Sequence, residues 1–407
     1  MALRQKAAAF AASVTLTLML TVVPAKAQLS DGVVRIGILN DQSGPYQDLA
    51  GPGSVVAAQL AAEDFGGKVA GGKIEIVSAD HQNKPDVGAA IARRWFDEQA
   101  VDAIADVPTS SVAIAVQGVA REKHRIFLIS GGSVTDLSGK YCSPYGIQTA
   151  DDTYAYTSGT ARAVVQNGGK TWFLLVADYA AGHAVEAQAR AAIEKAGGQV
   201  VGSVRHPQGT ADFAAYLLQA EASGAQVIGL GNYGNDTINS IKQSIEFGLT
   251  AKGRKLVSFG MFISDVHALG LKNAAGLQFA EGFYWNQNDA TRAFAKRFEA
   301  RTGKMPTRQQ ATTYATVVHY LKSIAATGTD AAEPVMARMR GTTMAYFGQD
   351  GRFRPDGRLV RDDYLWEVKT PAESTAPWDY YKLVRVIPAS EAWLPIEESA
   401  CPLLTKP

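Results

Sequence analysis

The stretch 103–133, AIADVPTSSVAIAVQGVAREKHRIFLISGGS, constrains the fold more than any other part of the chain. Two short apolar runs, VDAIADV and RIFLISG, are each followed by small hydroxyl and glycine residues, and an apolar pattern of helical length lies between them. Parallel strands need a crossover long enough to hold a helix, so this is the pattern of a βαβ unit. In a parallel sheet the loops at the carboxyl ends of the strands share one edge. Thr109, Ser110 and Ser111 should therefore face the same crevice as Gly131, Gly132 and Ser133. Hydroxyls and backbone N–H groups at a helix N-terminus cradle a small anion such as a carboxylate, because the unpaired donors and the helix dipole both favour negative charge there. The competing assignment is that Thr109 or Ser110 merely caps a helix beginning near Ser111.

The same alternation runs through the first third of the chain. VVRIGIL (33–39) reads as a buried parallel strand, followed by the loop NDQSGPYQDLAGPGS and a helix through Val55, Ala58, Ala62 and Phe65. KIEIVSAD (73–80) is the next strand, and Pro85 sets the start of a helix over 86–98. Strict alternation to about Ile147 predicts a doubly wound lobe. The pattern then restarts with a helix over 151–166, the strand TWFLLVAD (171–178), an Ala-rich helix to Ala196, GQVVGSVRH and a helix over 212–222. The strand AQVIGLGNY (225–233), a helix to Phe247 and the strand KLVSFGMF (255–262) complete a second unit of the same kind. Helices over 291–302, 309–326 and 332–340 have no strands between them and must pack on a sheet that already exists, so the chain crosses back. GQDGRFRPDGRLVRDDYLWEV and WDYYKLVRVI alternate around Asp-Gly turns, as hairpin strands completing the edge of one lobe would. The expected fold class is α/β, with two doubly wound, Rossmann-like lobes joined by several crossovers. Residues 31–148 and 286–345 are assigned to the first lobe, 149–285 and 346–390 to the second, and 391–407 to a tail returning to the first.

With 407 residues, 46% of them hydrophobic, the chain can fill two such cores. Arg4 and Lys6, an apolar run over 7–23 and then Pro24-Ala25-Lys26-Ala27 read as a secretory signal cleaved after Ala27, so residues 1–27 are excluded from the fold. No later segment approaches the length of apolar run that spans a bilayer, and export to the periplasm is expected. The excised segment carries three of the 40 basic residues and none of the 39 acids, leaving 37 against 39. That balance argues against a nucleic-acid partner or a membrane surface. The two cysteines, Cys142 and Cys401, lack metal-ligand spacing, and in an exported protein they are expected to pair. Six scattered histidines give no metal motif. Walker A, H-E-x-x-H, G-x-S-x-G and S-x-x-K patterns are missing, and GPGSVV at Gly51 lacks the third glycine of a dinucleotide fingerprint. His183 after a strand reads as an exposed loop histidine. Neither catalysis, a cofactor nor a metal is expected.

Several ordered motifs carry a resemblance. SGPYQDLAGPGSVVAAQLAAEDF follows the first strand, DHQNKPD the second, PTSS the third and SGGSVTDL the fourth; DYAAG, GNYGND and QQATTYATVVHYLKSIAATGT follow in turn. In this order and spacing the mature chain resembles the type I periplasmic binding proteins of branched-chain amino acid (Leu/Ile/Val) ABC importers. The resemblance implies a ligand carboxylate held by Thr109, Gly131 and Ser133, the residues already selected by the βαβ argument. It implies that Tyr179 and Tyr233 close over the ligand from the second lobe, and that Tyr46, Asp48 or Leu49 covers its side chain. The acid that this family uses for the ligand's α-ammonium is replaced here by Gly260-Met261-Phe262, with Asp265 the nearest carboxylate.

A buried ammonium without a partner is costly, whereas Met261 and Phe262 with two tyrosines suit a flat apolar carboxylate. The alternative is that Phe262 points into the core and Asp265 or Asp48 pairs with an amino acid. The expected function is thus a periplasmic solute-binding component that closes two lobes, in Venus-flytrap fashion, on a small and preferably aromatic carboxylate, and delivers it to the permease of an ABC importer as a monomer. A branched-chain amino acid or amide binder of the same family, or a ligand sensor of the same fold, are the alternatives; a two-lobed hydrolase or dehydrogenase is the disfavoured reading.

Overall fold

The computed structural model describes residues 28–404. The expected signal segment 1–27 lies outside them. Among the described residues no helix is long and apolar enough to cross a membrane.

The first lobe is built from β1 (Val33–Asn40), α1 (Gly51–Glu63), β2 (Lys68–Val69), β3 (Gly72–Asp80), α2 (Pro85–Glu98), β4 (Ala103–Asp106), α3 (Ser110–Glu122), β5 (Ile126–Ile129) and β6 (Gly146–Gln148). Its six strands run in the order β2-β3-β1-β4-β5-β6, parallel except for the β2–β3 pair. Strands buried on both faces need apolar residues throughout, and β4 and β5 (AIAD, IFLI) are buried at every position. One face packs on α2 and α3 through Trp95, Phe96, Val112 and Val116. The other packs on α1 and on a later helix through Ala58, Val317, Tyr320 and Leu321.

The second lobe comprises α4 (Thr153–Gln166), β7 (Thr171–Ala177), α5 (Ala180–Lys195), β8 (Gln199–His206), α6 (Ala214–Ala222), β9 (Val227–Gly231), α7 (Asn235–Glu246), β10 (Lys255–Ser258), α8 (Ile263–Leu269), α9 (Leu271–Ala274) and β11 (Gln278–Ala280). Its parallel sheet runs β10-β9-β7-β8. The chain then returns to the first lobe with α10 (Asp289–Thr302), α11 (Arg308–Thr327), α12 (Ala332–Gly341) and the antiparallel β12 (Met344–Tyr346), β13 (Gln349–Phe353) and β14 (Leu359–Val360). It crosses once more into β15 (Asp363–Val368) and β16 (Tyr381–Ile387), which pair with β11 in a small sheet on the second lobe.

Three expectations are corrected here. Residues 346–360, assigned to the second lobe, pack on the first: Met344, Tyr346 and Leu359 share a core with Ala57, Phe298 and Ala311. The tail strands do not complete the edge of one main sheet. Split between two lobes, they form two separate three-stranded sheets, because Arg361–Asp362 between them is itself a crossing. The strand read over 255–262 stops at Ser258, and the segment after it leaves the sheet so that Phe262 reaches the crevice between the lobes.

Cys142 and Cys401 are bonded and both buried, which fastens the tail to the first lobe. In each main sheet the connections diverge at one point, between β1 and β4 in the first lobe and between β7 and β9 in the second. The loops leaving those strands open a crevice at their carboxyl ends, and the two crevices face each other.

Candidate functional site

The loops at these divergence points meet around a small interlobe cavity. The first lobe contributes Tyr46 and Leu49 from the loop after β1, Pro108 from the loop after β4, and Gly131 and Ser133 from the loop after β5. Tyr179 follows β7, Tyr233 follows β9 and Phe262 follows β10, while Tyr156 projects from α4. The wall is completed by Arg308 and Gln309, the first two residues of α11.

The local sequence accounts for several of these positions. Asp106 and Val107 both adopt positive φ, 76° and 59°. For a β-branched residue this is costly backbone, and strain of this kind gathers at functional sites. It turns the chain sharply enough to put Pro108 into the wall, and the Val107 N–H donating to the Leu39 carbonyl holds the turn. Thr307 caps α11 in a capping box with Gln310, and its hydroxyl donates to the Leu49 carbonyl at 2.6 Å, tying the helix start to the cavity loop. Gly260 lets Tyr233 in: a Cβ there would collide with the Tyr233 ring.

The lobes are closed on each other. The Tyr46 hydroxyl donates to that of Tyr179 at 3.0 Å, and the Asn235 N–H donates to the Pro45 carbonyl at 3.3 Å. At Gly234, with φ +58°, a Cβ would collide with that same carbonyl. The Thr153 N–H donates to the Ser133 carbonyl at 2.8 Å.

Among the described residues Arg308 is the one charged residue in the wall, and it is only 3% exposed. Its guanidinium carbon stands 3.8 Å from the centre of the Phe262 ring and 4.6 Å from that of Tyr156, within the range of a cation–π contact. Nη1 donates to the Met261 carbonyl at 2.8 Å, and Nε and Nη1 lie 3.9 Å from Asp151 and Glu281 respectively. Nη2 is buried and has no partner, and the same is true of the Tyr233 hydroxyl. Unpartnered donors of this kind are expensive unless something fills the space beside them. The adjoining α11 N-terminus adds positive potential. Gln309 is oriented from behind, its amide donating at 2.7 Å to Asp106, whose carboxyl burial pushes up.

The residues expected at this site fall into two groups. Tyr46, Leu49, Gly131, Ser133, Tyr179, Tyr233 and Phe262 reach the wall. Thr109, Ser110, Gly132, Met261 and Asp48 do not. The Thr109 hydroxyl pairs with Asn83, and Ser110 Oγ accepts from the Val134 N–H at 3.2 Å. Both hydroxyls stitch loops together behind the cavity, and no side-chain cap forms on α3. Gly132 is pressed against Ala113 and Leu137. Met261 is buried in the second-lobe core and shows Arg308 only its carbonyl. Asp48, its side chain 54% exposed, pairs with Lys304 at 2.9 Å on the surface. Asp265 accepts from the Phe262 N–H at 3.0 Å, and burial raises its carboxyl to about 7. Phe262 stands in the cavity wall as well as in the core beneath it. His183 is exposed and pairs with Asp178.

Sequence reasoning missed Arg308, Gln309, Tyr156 and Pro108. A signal for the first was present: an arginine directly after the capping threonine of T-R-Q-Q sits at the positive end of a helix, which needs acids from elsewhere to offset it.

The sequence profile of a family described as periplasmic binding protein matches residues 33–375. A periplasmic binding protein from Burkholderia mallei is 44% identical, with a TM-score of 0.90, covering 92% of this chain and all of that one. A branched chain amino acid ABC transporter periplasmic ligand-binding protein from Burkholderia xenovorans LB400 is 42% identical, with a TM-score of 0.81, covering 91% of this chain and 99% of that one. Leu/Ile/Val-binding protein homolog 6 of Brucella melitensis is 28% identical over 249 residues, which cover 60% of this chain and 63% of that protein.

Proposed function

This chain belongs to the periplasmic binding protein family, and from that premise we propose that it is the substrate-binding component of an ABC importer. It works in the periplasm and captures a small aromatic carboxylate between its lobes. The observation that carries the ligand class is the charge of the cavity wall: one buried guanidinium with a free donor, and no carboxylate among the wall residues. Arg308 Nη2, the Tyr233 hydroxyl and the Ser133 hydroxyl are the wall donors we assign to the ligand carboxylate. Charge-assisted hydrogen bonds are the strong ones, and a planar fork suits a planar anion. The rest of the ligand then lies among Phe262, Tyr156, Tyr46 and Leu49, surfaces that favour a ring. Closure across Tyr46–Tyr179 and Pro45–Asn235 seals the ligand, and the closed form is what a permease would engage.

A second reading, a branched-chain amino acid, is favoured by the description of the Burkholderia xenovorans relative. It requires the ligand's ammonium to find Asp265, which is engaged with the backbone of Phe262. Leaving that charge unpaired costs several kcal/mol, against about 3 kcal/mol for burying an isobutyl group. Calorimetric titration separates the two. Benzoate and 4-hydroxybenzoate should bind, and leucine, isoleucine and valine should bind at least about a hundredfold more weakly. Tight leucine binding without benzoate binding would replace the first reading by the second.

The position of the hydroxyls gives a further expectation. Ser133→Ala should weaken benzoate binding by about tenfold or more, since a hydrogen bond to a charged group contributes about 1.5–3 kcal/mol. Thr109→Ala should lower the melting temperature and leave affinity within about twofold, because its hydroxyl serves Asn83. An equal loss of affinity in both variants would move the carboxylate to the Thr109 side of the loop.

A further inference from the structure

The first three crossings of the chain between the lobes each bring an acid to one buried cluster. Asp151 lies on the first crossing, Glu281 on the second, and Asp363, next to Arg361, on the third. All three acids are buried. Arg361 pairs with Asp151 and passes close against Gly282. Arg308 enters the cluster from the first lobe and is also the cation of the cavity wall.

Glu281 Oε1 lies 3.9 Å from Arg308 Nη1, and its other oxygen is buried without a partner. The groups that face it are Arg308 from α11, Asp151 from the first crossing, Asp363 from β15, Asp265 from α8 and Tyr381 from β16. Arg308 alone among these favours the ionised form; burial and the three acids push the Glu281 carboxyl well above the ordinary range.

We propose that Glu281 is a positioning residue for the anion site: it shares Arg308 in the empty protein and takes up a proton when a ligand carboxylate engages that guanidinium. The inference rests on Arg308 being the ligand's anchor. A bound anion offsets the charge of Arg308 and so raises the proton affinity of Glu281. By linkage the proton and the anion then strengthen each other's binding. The sign follows: affinity is highest at low pH and falls as pH rises through the interval between the Glu281 values of the empty and loaded protein, by at most about tenfold per pH unit for one proton. An acid anion and a proton are thus captured together, and the buried cluster gains no net charge.

The test is calorimetric titration of the full protein with benzoate in phosphate and in Tris, whose ionisation heats differ, from about pH 6 to about pH 9. The wild type should show buffer-dependent heats corresponding to uptake of up to about one proton, and weaker binding as pH rises. Glu281→Gln should abolish both the buffer dependence and the pH slope. Wild-type heats identical in the two buffers, with benzoate bound, overturn the inference and leave the aromatic-acid reading standing. Uptake that persists in Glu281→Gln overturns it in favour of Asp265 or Asp363. Absence of any benzoate heat overturns the aromatic-acid reading and this inference with it. If Glu281→Gln does not fold, wild-type heats identical in the two buffers still overturn the inference, and Asp265→Asn and Asp363→Asn decide the remaining case: uptake kept in both assigns the proton to Glu281, uptake lost in either overturns it.

Discussion

Arg308→Met should reduce the affinity for benzoate by several hundredfold, the largest change expected from any single substitution in the cavity. Removing one partner of a buried ion pair costs about 3–5 kcal/mol, because the other charge stays behind in a low-dielectric setting. For the proposed ligand the stranded charge is its own carboxylate, left facing Phe262 and Tyr156 with no cation among the described wall residues. Methionine fills much of the arginine stem's volume, so the rings keep their packing. Asp151 retains Arg361, and circular dichroism should report an intact fold. Arg308→Lys should fall between: it keeps the charge and loses the fork that reaches Met261, Asp151 and the cavity at once. An unchanged dissociation constant in the methionine variant would place the ligand outside the cavity.

Reduction of the Cys142–Cys401 bridge, or its removal by a double serine substitution, should cost about 2–5 kcal/mol. The two residues are 259 apart in sequence, so the bridge closes a very long loop. The chain-entropy model assigns such a loop roughly 5 kcal/mol, an upper figure because other contacts already hold the tail. The Trp393 indole donates to the Arg361 carbonyl at 2.6 Å, and the Arg358 guanidinium stacks on its ring at 4.3 Å. For a chain of this size the loss corresponds to roughly 3–6 °C in melting temperature, measurable by scanning calorimetry with and without reductant. Benzoate affinity should survive, since neither cysteine is part of the cavity wall. A melting temperature indifferent to reductant would show that the bridge adds nothing to the native state.

The doubly wound plan was legible because parallel strands buried on both faces must be apolar along their whole length, as AIAD and IFLI are, and because crossover helices give a second period between them. The tyrosines after β7 and β9 were legible only through resemblance. Nothing local distinguishes Tyr179 or Tyr233 from a core tyrosine until the two sheets are set facing each other. Thr109 and Ser110 were misplaced for a different reason. A hydroxyl at the end of a strand can point forward to a ligand or sideways to a neighbouring loop, and its partner, Asn83 or the Val134 N–H, lies some 25 residues away in sequence. Arg308 was only half legible: its place after the capping threonine stands in the sequence, but its burial depends on acids supplied by other segments, here residues 151 and 281. The end of β10 was overrun because SFGMF is as apolar as a strand; Gly260, pressed by the Tyr233 ring, marks where extended backbone gives way to cavity wall.

The contacts that shut the lobes include several made by main-chain atoms: the Asn235 N–H on the Pro45 carbonyl, the Thr153 N–H on the Ser133 carbonyl, and a Gly234 backbone that tolerates no side chain. Such contacts are indifferent to which side chains line the space they enclose. Substitutions at Phe262, Tyr156 or Leu49 can therefore accumulate one at a time, each altering what is recognised while the lobes still shut. A descendant of this scaffold can change its ligand without passing through a form that fails to close, so retargeting by design should begin at those three positions and leave 45, 153, 234 and 235 untouched.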